Sequence, residues 1–241
     1  MRCFIREEIR KMQADNRVLA AVALFAVMCN LILCAFYKFD VTNTDVLALY
    51  GESGVDLYFF CGINVIVGML CAMFVGYNIL TKEYINDTWD LLMIKVFDGK
   101  KIVFAKFAVF MLYQFVYTIF SLVLYVPVAK IILHADIGPA MFGSVAVIAL
   151  FINIFCYALQ YCIQLYIKSF PVAVVLGIFF IYIFGFAREG VRIANYVGAA
   201  AGSYAFEAGK VFDHTFLLSA AASNIVLGAV IVYISGKKFY S

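Results

Sequence analysis

Charge is scarce in this chain and nearly absent from most of its length. Asp, Glu, Lys and Arg make up 14% of the 241 residues and hydrophobic residues 66%, with a mean hydropathy of +1.00. Soluble domains carry about 25% charged residues. A water-soluble fold of this size would lack the polar surface to cover its own core, so the surplus apolar surface must face lipid. The net charge of +3 gives no reason to invoke nucleic acid.

The usual marks of catalysis are missing as well. There is no GxxxxGK[ST] phosphate loop: Gly99-Lys100-Lys101 lacks the upstream glycine and the hydroxyl. There is no HExxH, and His134 and His214 stand far apart, as loop residues rather than metal ligands. No GxSxG elbow is present. The acid pair Glu7-Glu8 lacks the Arg that intramembrane CAAX-type proteases place four residues later, where Met12 stands. The seven cysteines form no CxxC pair and no Cys/His cluster, and their odd number fits apolar packing better than a disulfide framework. The apolar runs also lack ionisable residues: every Asp, Glu, Lys and Arg falls at or outside a run's end. A proton or ion path would need such groups inside, so any energy for transport is expected to arrive from outside the chain.

What is present is long apolar runs. Crossing a ~30 Å hydrocarbon core takes about 20 mostly apolar residues. Six runs qualify: 18–37, 57–80, 107–129, 141–166, 170–187 and 216–235. The expected fold class is therefore all-α, a polytopic membrane protein with six transmembrane helices in one transmembrane domain, 1–241. With the N-terminus inside, 13 Lys/Arg fall on the cytoplasmic side and 5 outside. The positive-inside bias then puts both termini in the cytoplasm.

Three segments between or before the runs have character of their own. Residues 1–17 carry both signs of charge, unlike a cleavable leader. Phe4, Ile5, Ile9 and Met12 share one helical face, which predicts an interfacial amphipathic helix. Residues 188–215 contain Gly198 and Gly202 around three alanines, a small-xxx-small spacing that predicts a close-packed re-entrant hairpin in the outer leaflet. Residues 81–106 form a polar cytoplasmic loop. Its first part can make a short helix with Asp87 or Thr88 as cap and an apolar side of Trp89, Leu92 and Met93, the make-up of a docking knob. Asn86-Asp87-Thr88 matches a glycosylation triplet but lies on the wrong side of the membrane for it.

Inside the runs, uncharged polar residues recur at helical spacing. Asn153, Tyr157, Gln160 and Gln164 share a face of the fourth run; Gln114, Tyr117, Ser121 and Tyr125 of the third; Asn64, Gly68 and Cys71 of the second; Ala220, Asn224 and Gly228 of the last. Amides in lipid cost free energy unless bonded, so these faces must meet protein or a wet cavity. Two readings stay open: interhelical bonds, or a translocation face built from Asn64, Gln114, Tyr117, Asn153, Tyr157, Gln160, Gln164 and Asn224.

The loop carries a resemblance. Glu83 soon after the second run, Asp87-Thr88, Leu91-Leu92, Asp98, Lys100 and a Lys106 entering the third run are similar to the pattern of type-2 ABC exporter permeases. Phe97 stands where that family has proline. The Thr88-Trp89-Asp90-Leu91-Leu92 step is nearest the small permeases of bacitracin and lantibiotic immunity exporters. The resemblance implies that Glu83, Tyr84, Asp87, Thr88, Trp89, Asp90, Leu91 and Leu92 form a coupling helix seated on a dimeric ATPase subunit. It implies a second permease, identical or related, in a bacterial cytoplasmic membrane. ATP and Mg would bind the partner ATPase and no cofactor this chain, which would be no enzyme itself. The cargo would be an amphipathic antimicrobial peptide. The competing readings are a secondary carrier or membrane enzyme acting alone, and a non-transporting structural or sensor subunit.

Overall fold

The computed structural model describes residues 2–14, 16–38, 44–86, 99–135, 137–186 and 196–238. Every regular element among them is helical. Helix α1, Arg2–Ala14, is followed by α2, Asn16–Lys38. Helix α3, Thr44–Gly76, continues through a π-helical turn, Tyr77–Thr81, into the short α4, Lys82–Ile85. Helix α5 is Gly99–Ile131. Helix α6, Pro139–Val147, a second π turn, Ile148–Ile152, and α7, Ile154–Tyr166, form one rod. Helices α8, Phe170–Phe186, α9, Gly198–Glu207, and α10, His214–Lys238, complete the chain.

Five of these rods are long and apolar enough to cross a membrane: Asn16–Tyr37, Thr44–Ile85, Lys100–Ile131, Pro139–Tyr166 and His214–Lys237. Helix α8 has 17 residues, at about 1.5 Å per residue a few ångströms short of a straight crossing. The helices overrun the apolar stretches that predict them. Residues 44–56, expected as an outer loop, are helical, with a break at Gly51, whose φ of +71° and ψ of −171° lie outside the helical region. The left-handed sign of that φ suits glycine. Helix α5 begins at Gly99 rather than near 107 and carries Lys100, Lys101 and Lys106 within it. A helix satisfies its backbone internally, so nothing forces it to stop where the lipid does.

Helix α3 is the hub. It packs against α2, α5, α7, α8 and α9, and most of its apolar stretch is buried, whereas α2 and α10 turn much of their surface outward. Lipid tails are as apolar as leucine, so burial alone gives these helices little reason to associate. Shape and hydrogen bonding do it instead. Glycines on α3 and α8 make notches for the polar side chains of α7. Gly68 receives the Tyr157 hydroxyl, Gly76 the Gln164 amide and Gly177 the Gln160 amide, each so close that an added Cβ would overlap it.

The end away from α1 is tied by aromatic rings. Tyr50 lies edge-on to Phe206 and Phe212, with centroids 6.1 and 6.0 Å away, and Tyr58 meets Phe206 at 5.8 Å. The Tyr58 hydroxyl also donates to Glu207 Oε1 at 3.1 Å. These contacts seat α9 on α3. The described part of the segment expected as a hairpin, from Tyr196 on, thus contains a helix docked on the bundle; residues 188–195 lie outside the described residues.

Candidate functional site at the α1 end

Four charged side chains close a ring where α1, α4 and α5 meet. Lys106 Nζ lies 3.1 Å from Glu8 Oε2 and 2.7 Å from Glu83 Oε2. Lys11 Nζ lies 3.0 Å from Glu8 Oε1 and 3.3 Å from Glu83 Oε1. Each lysine therefore touches both carboxylates and each carboxylate both lysines. Lys106 is fully buried, Glu8 and Glu83 are largely covered, and Lys11 stands at the solvent side.

A buried ammonium costs several kcal/mol of lost hydration, offset only if its protons find acceptors. Lys106 donates to Glu8 and also to the carbonyl of Ile79 at 3.2 Å. Ile79 lies in the π turn Tyr77–Thr81. A π turn holds one residue more than an α turn and disturbs the carbonyl ladder, and such turns gather at functional sites. The turn thus supplies an acceptor to Lys106 and sets the direction in which Glu83 leaves α3.

Glu8 reaches the ring because α1 is amphipathic. Ile5 and Ile9 pack on the core and Arg6, Glu7, Arg10 and Lys11 are exposed. At about 100° per residue, Glu8 falls between them on the inward face. Burial acts to raise the Glu8 pKa, and the charges of Lys106 and Lys11 outweigh it, holding the carboxyl below its ordinary 4.5. Burial likewise acts to lower Lys11, and Glu8 and then Glu83 reverse this, leaving it above 10.5.

Of the predicted docking residues, Glu83 and Tyr84 are described; Asp87, Thr88, Trp89, Asp90, Leu91 and Leu92 lie outside the described residues. Tyr84 points away from the ring. Its hydroxyl donates to the Leu165 carbonyl at 2.7 Å, and Lys168 Nζ lies 5.6 Å from its ring centroid.

The eight residues of the expected translocation face are all buried within the chain in this conformation. Asn64 Nδ2 donates to Ser121 Oγ at 2.9 Å and Tyr117 to the Asn64 carbonyl at 3.0 Å, bridging α3 and α5. Gln164 donates to the Met73 carbonyl at 2.7 Å and Gln160 to that of Ala173 at 3.5 Å. Asn153 bonds within its own helix, to Ala149. Asn224 brackets the start of α9: it accepts from Gly198 N at 2.7 Å and donates to the Tyr196 carbonyl at 2.9 Å. Bonds between helices are thus what most of these residues make here. Gln114 and Tyr157 are the exceptions. The Gln114 amide makes no hydrogen bond to nitrogen or oxygen and has the Cys71 thiol beside it, and the Tyr157 hydroxyl sits in the Gly68 notch without a hydrogen-bond partner.

Sequence reading picked out Glu83 and Lys106 and missed Glu8. The available signal was an acid set into the apolar face of α1.

The described residues form a multi-helix bundle with a charged clasp at one end, and among them no group of His, Cys, Asp and Glu could hold a metal ion. Residues 4–186 match the family described as ABC-2 family transporter protein, and the chain belongs to that family. It is a multi-pass membrane protein and the membrane component of an ABC transporter, a family whose permeases work with an ABC ATPase subunit. Neither a curated protein nor a solved structure matches the chain.

Proposed function

We propose that this chain is the permease of an ATP-driven exporter and that residues 81–106 are its cytosolic handle, gripped by a separate ATPase. The observation supporting this is the charge ring. Glu83, at the start of the handle, is joined through buried Lys106 to α5 and through Lys11 to α1. The ring therefore ties both ends of the handle to each other and to α1, and a displacement at Glu83 pulls on α5 and α1 through ionic contacts in a shielded setting, where charge interactions are strong.

Two copies, identical or related, would pair around a dimeric ATPase carrying ATP and Mg, in a bacterial cytoplasmic membrane with both termini inside. The sixth span is α8, and 188–215 the outer hairpin, within one domain of 1–241. Asp87 to Leu92 would sit in the ATPase cleft with Trp89 as the apolar anchor. An amphipathic antimicrobial peptide, as in bacitracin or lantibiotic immunity, suits the aromatic-rich interior. Substrate would meet the amide and phenol stripe when α5 and α7 part; the poorly bonded amide of Gln114 supports this, since a buried amide without good partners costs about 1–3 kcal/mol until water or ligand reaches it.

The test is co-purification from native membranes, with Glu83→Gln and Trp89→Ala compared to the native chain. The reading expects an ATPase with a phosphate loop to accompany the chain, and less of it, or less peptide resistance, in both variants at equal membrane insertion. Unchanged yield and resistance in both would overturn it. Activity of the purified chain alone would favour a carrier or enzyme.

A further inference from the structure

Glu83 and Tyr84 are neighbours in sequence, and their side chains leave α4 toward opposite halves of the bundle. Successive helical residues diverge by about 100°, so one short helix can hold two partners at once. Glu83 holds α5 and α1. Tyr84 holds the other half. Its acceptor, the Leu165 carbonyl, lies in the last turn of α7, where the final four carbonyls have no partner inside the helix. Lys168, in the turn leading to α8, covers the Tyr84 ring at a distance suited to a cation–π contact. One residue past Leu165, the Tyr166 hydroxyl donates to the Ser235 carbonyl of α10 at 2.8 Å. Tyr84 therefore abuts a corner at which α7, α8 and α10 are already joined.

We propose that Tyr84 is a positioning residue, a second arm that carries movement of the handle into the α7–α8 corner while Glu83 carries it into α1 and α5. This rests on the reading of residues 81–106 as the ATPase handle. Without the second arm, a pull on the handle would reach the α7–α8 corner only indirectly, through contacts of α7 with α3 and α5 such as Gln164 to the Met73 carbonyl and Tyr161 to the Val103 carbonyl. With it, the handle holds the corner directly.

The test uses the full complex of permease and ATPase in lipid nanodiscs, with native cysteines replaced and spin labels placed in pairs. One pair joins Asn86 to Ser169 and another Asn86 to Arg10, all exposed positions; Leu49, exposed and ahead of the glycine break in α3, gives the reference. In the native chain, trapping with ATP and vanadate moves Asn86 relative to Leu49 and leaves both pair distances unchanged. In Tyr84→Ala the Asn86–Ser169 distance changes on trapping and Asn86–Arg10 does not. Glu83→Gln gives the reverse. Tyr84→Phe, which keeps the ring under Lys168 and loses only the hydroxyl, gives a smaller change and remains informative if the alanine variant does not fold. An Asn86–Ser169 distance that stays fixed through trapping in both Tyr84 variants overturns the second arm while leaving the handle standing. A native complex in which ATP moves nothing at Asn86 overturns the handle itself, and the second arm with it.

Discussion

Lys106 of α5 sits 3.1 Å from Glu8 of α1 and is wholly shut off from solvent. Removing one member of a buried ion pair strands the other and typically costs about 3–5 kcal/mol. Lys106→Met is therefore expected to lower thermal stability in detergent by an amount of that order, because Glu8 and Glu83 are left facing each other with Lys11 alone between them. Lys106→Met combined with Glu83→Gln should lose less than the two single variants together, since the double change removes the repulsion. Additive losses would mean the ring does not act as one unit.

Acid should loosen the same ring. The folded Glu8 pKa lies below its unfolded value of 4.5, so its contribution is complete above that value. It shrinks as pH falls below 4.5 and is gone once pH has dropped through the lowered folded value. Lys11, raised above 10.5, gives the mirror case: its contribution is complete below 10.5 and lost as pH rises through the folded value. Being half exposed, it should contribute little. Melting temperature followed across pH should be flat near neutrality and fall in acid, and Glu8→Gln should flatten the acid limb. An unchanged acid limb in that variant would assign the effect to other carboxylates.

Glycine substitutions should sort by notch. Gly76→Ala and Gly177→Ala force a methyl against the Gln164 and Gln160 amides and should each cost about 1–3 kcal/mol, the usual range for overpacking. Gly62→Ala meets nothing within contact distance and gains helix propensity, so stability should hold or rise slightly. Detergent melts of the three variants decide it. Equal effects at all three positions would show that α3 and α8 tolerate the methyl by moving away from α7.

The orientation can be checked by labelling from outside. In a chain without native cysteines, a cysteine at Lys101 should react with an impermeant maleimide only after the membrane is opened, and one at His134 should react in sealed cells. The opposite pattern would invert the topology and place the charge ring on the wrong side for any ATPase.

Much of the fold was legible because lipid demands long apolar helices, and length and hydropathy report those directly. The helix ends were not. Asp45, Glu52 and Asp56 look like loop residues by polarity, yet α3 runs through all three because water at the interface solvates them without unwinding the backbone. Part of the site was legible too: Glu83 and Lys106 stood out by their place around the polar loop. Glu8 did not, because its partners come from distant parts of the chain, and helical periodicity shows which face a residue takes but not what it meets there. The polar stripe on α7 was visible as a pattern. The glycines that receive it lie on other helices, and no local rule pairs them.

Those slots restrict what α7 can do during any working cycle. Tyr157 and Gln164 are lodged in α3 and Gln160 in α8, on different sides of the same rod. Spinning α7 about its axis, or sliding it along its length, would drag three buried polar side chains out of their notches. Relative motion of α7 against α3 and α8 is therefore costly along the stretch of the notches and is left to the parts beyond them, where the π turn at 77–81 and the glycine break at residue 51 interrupt the regular helix of the α3 rod.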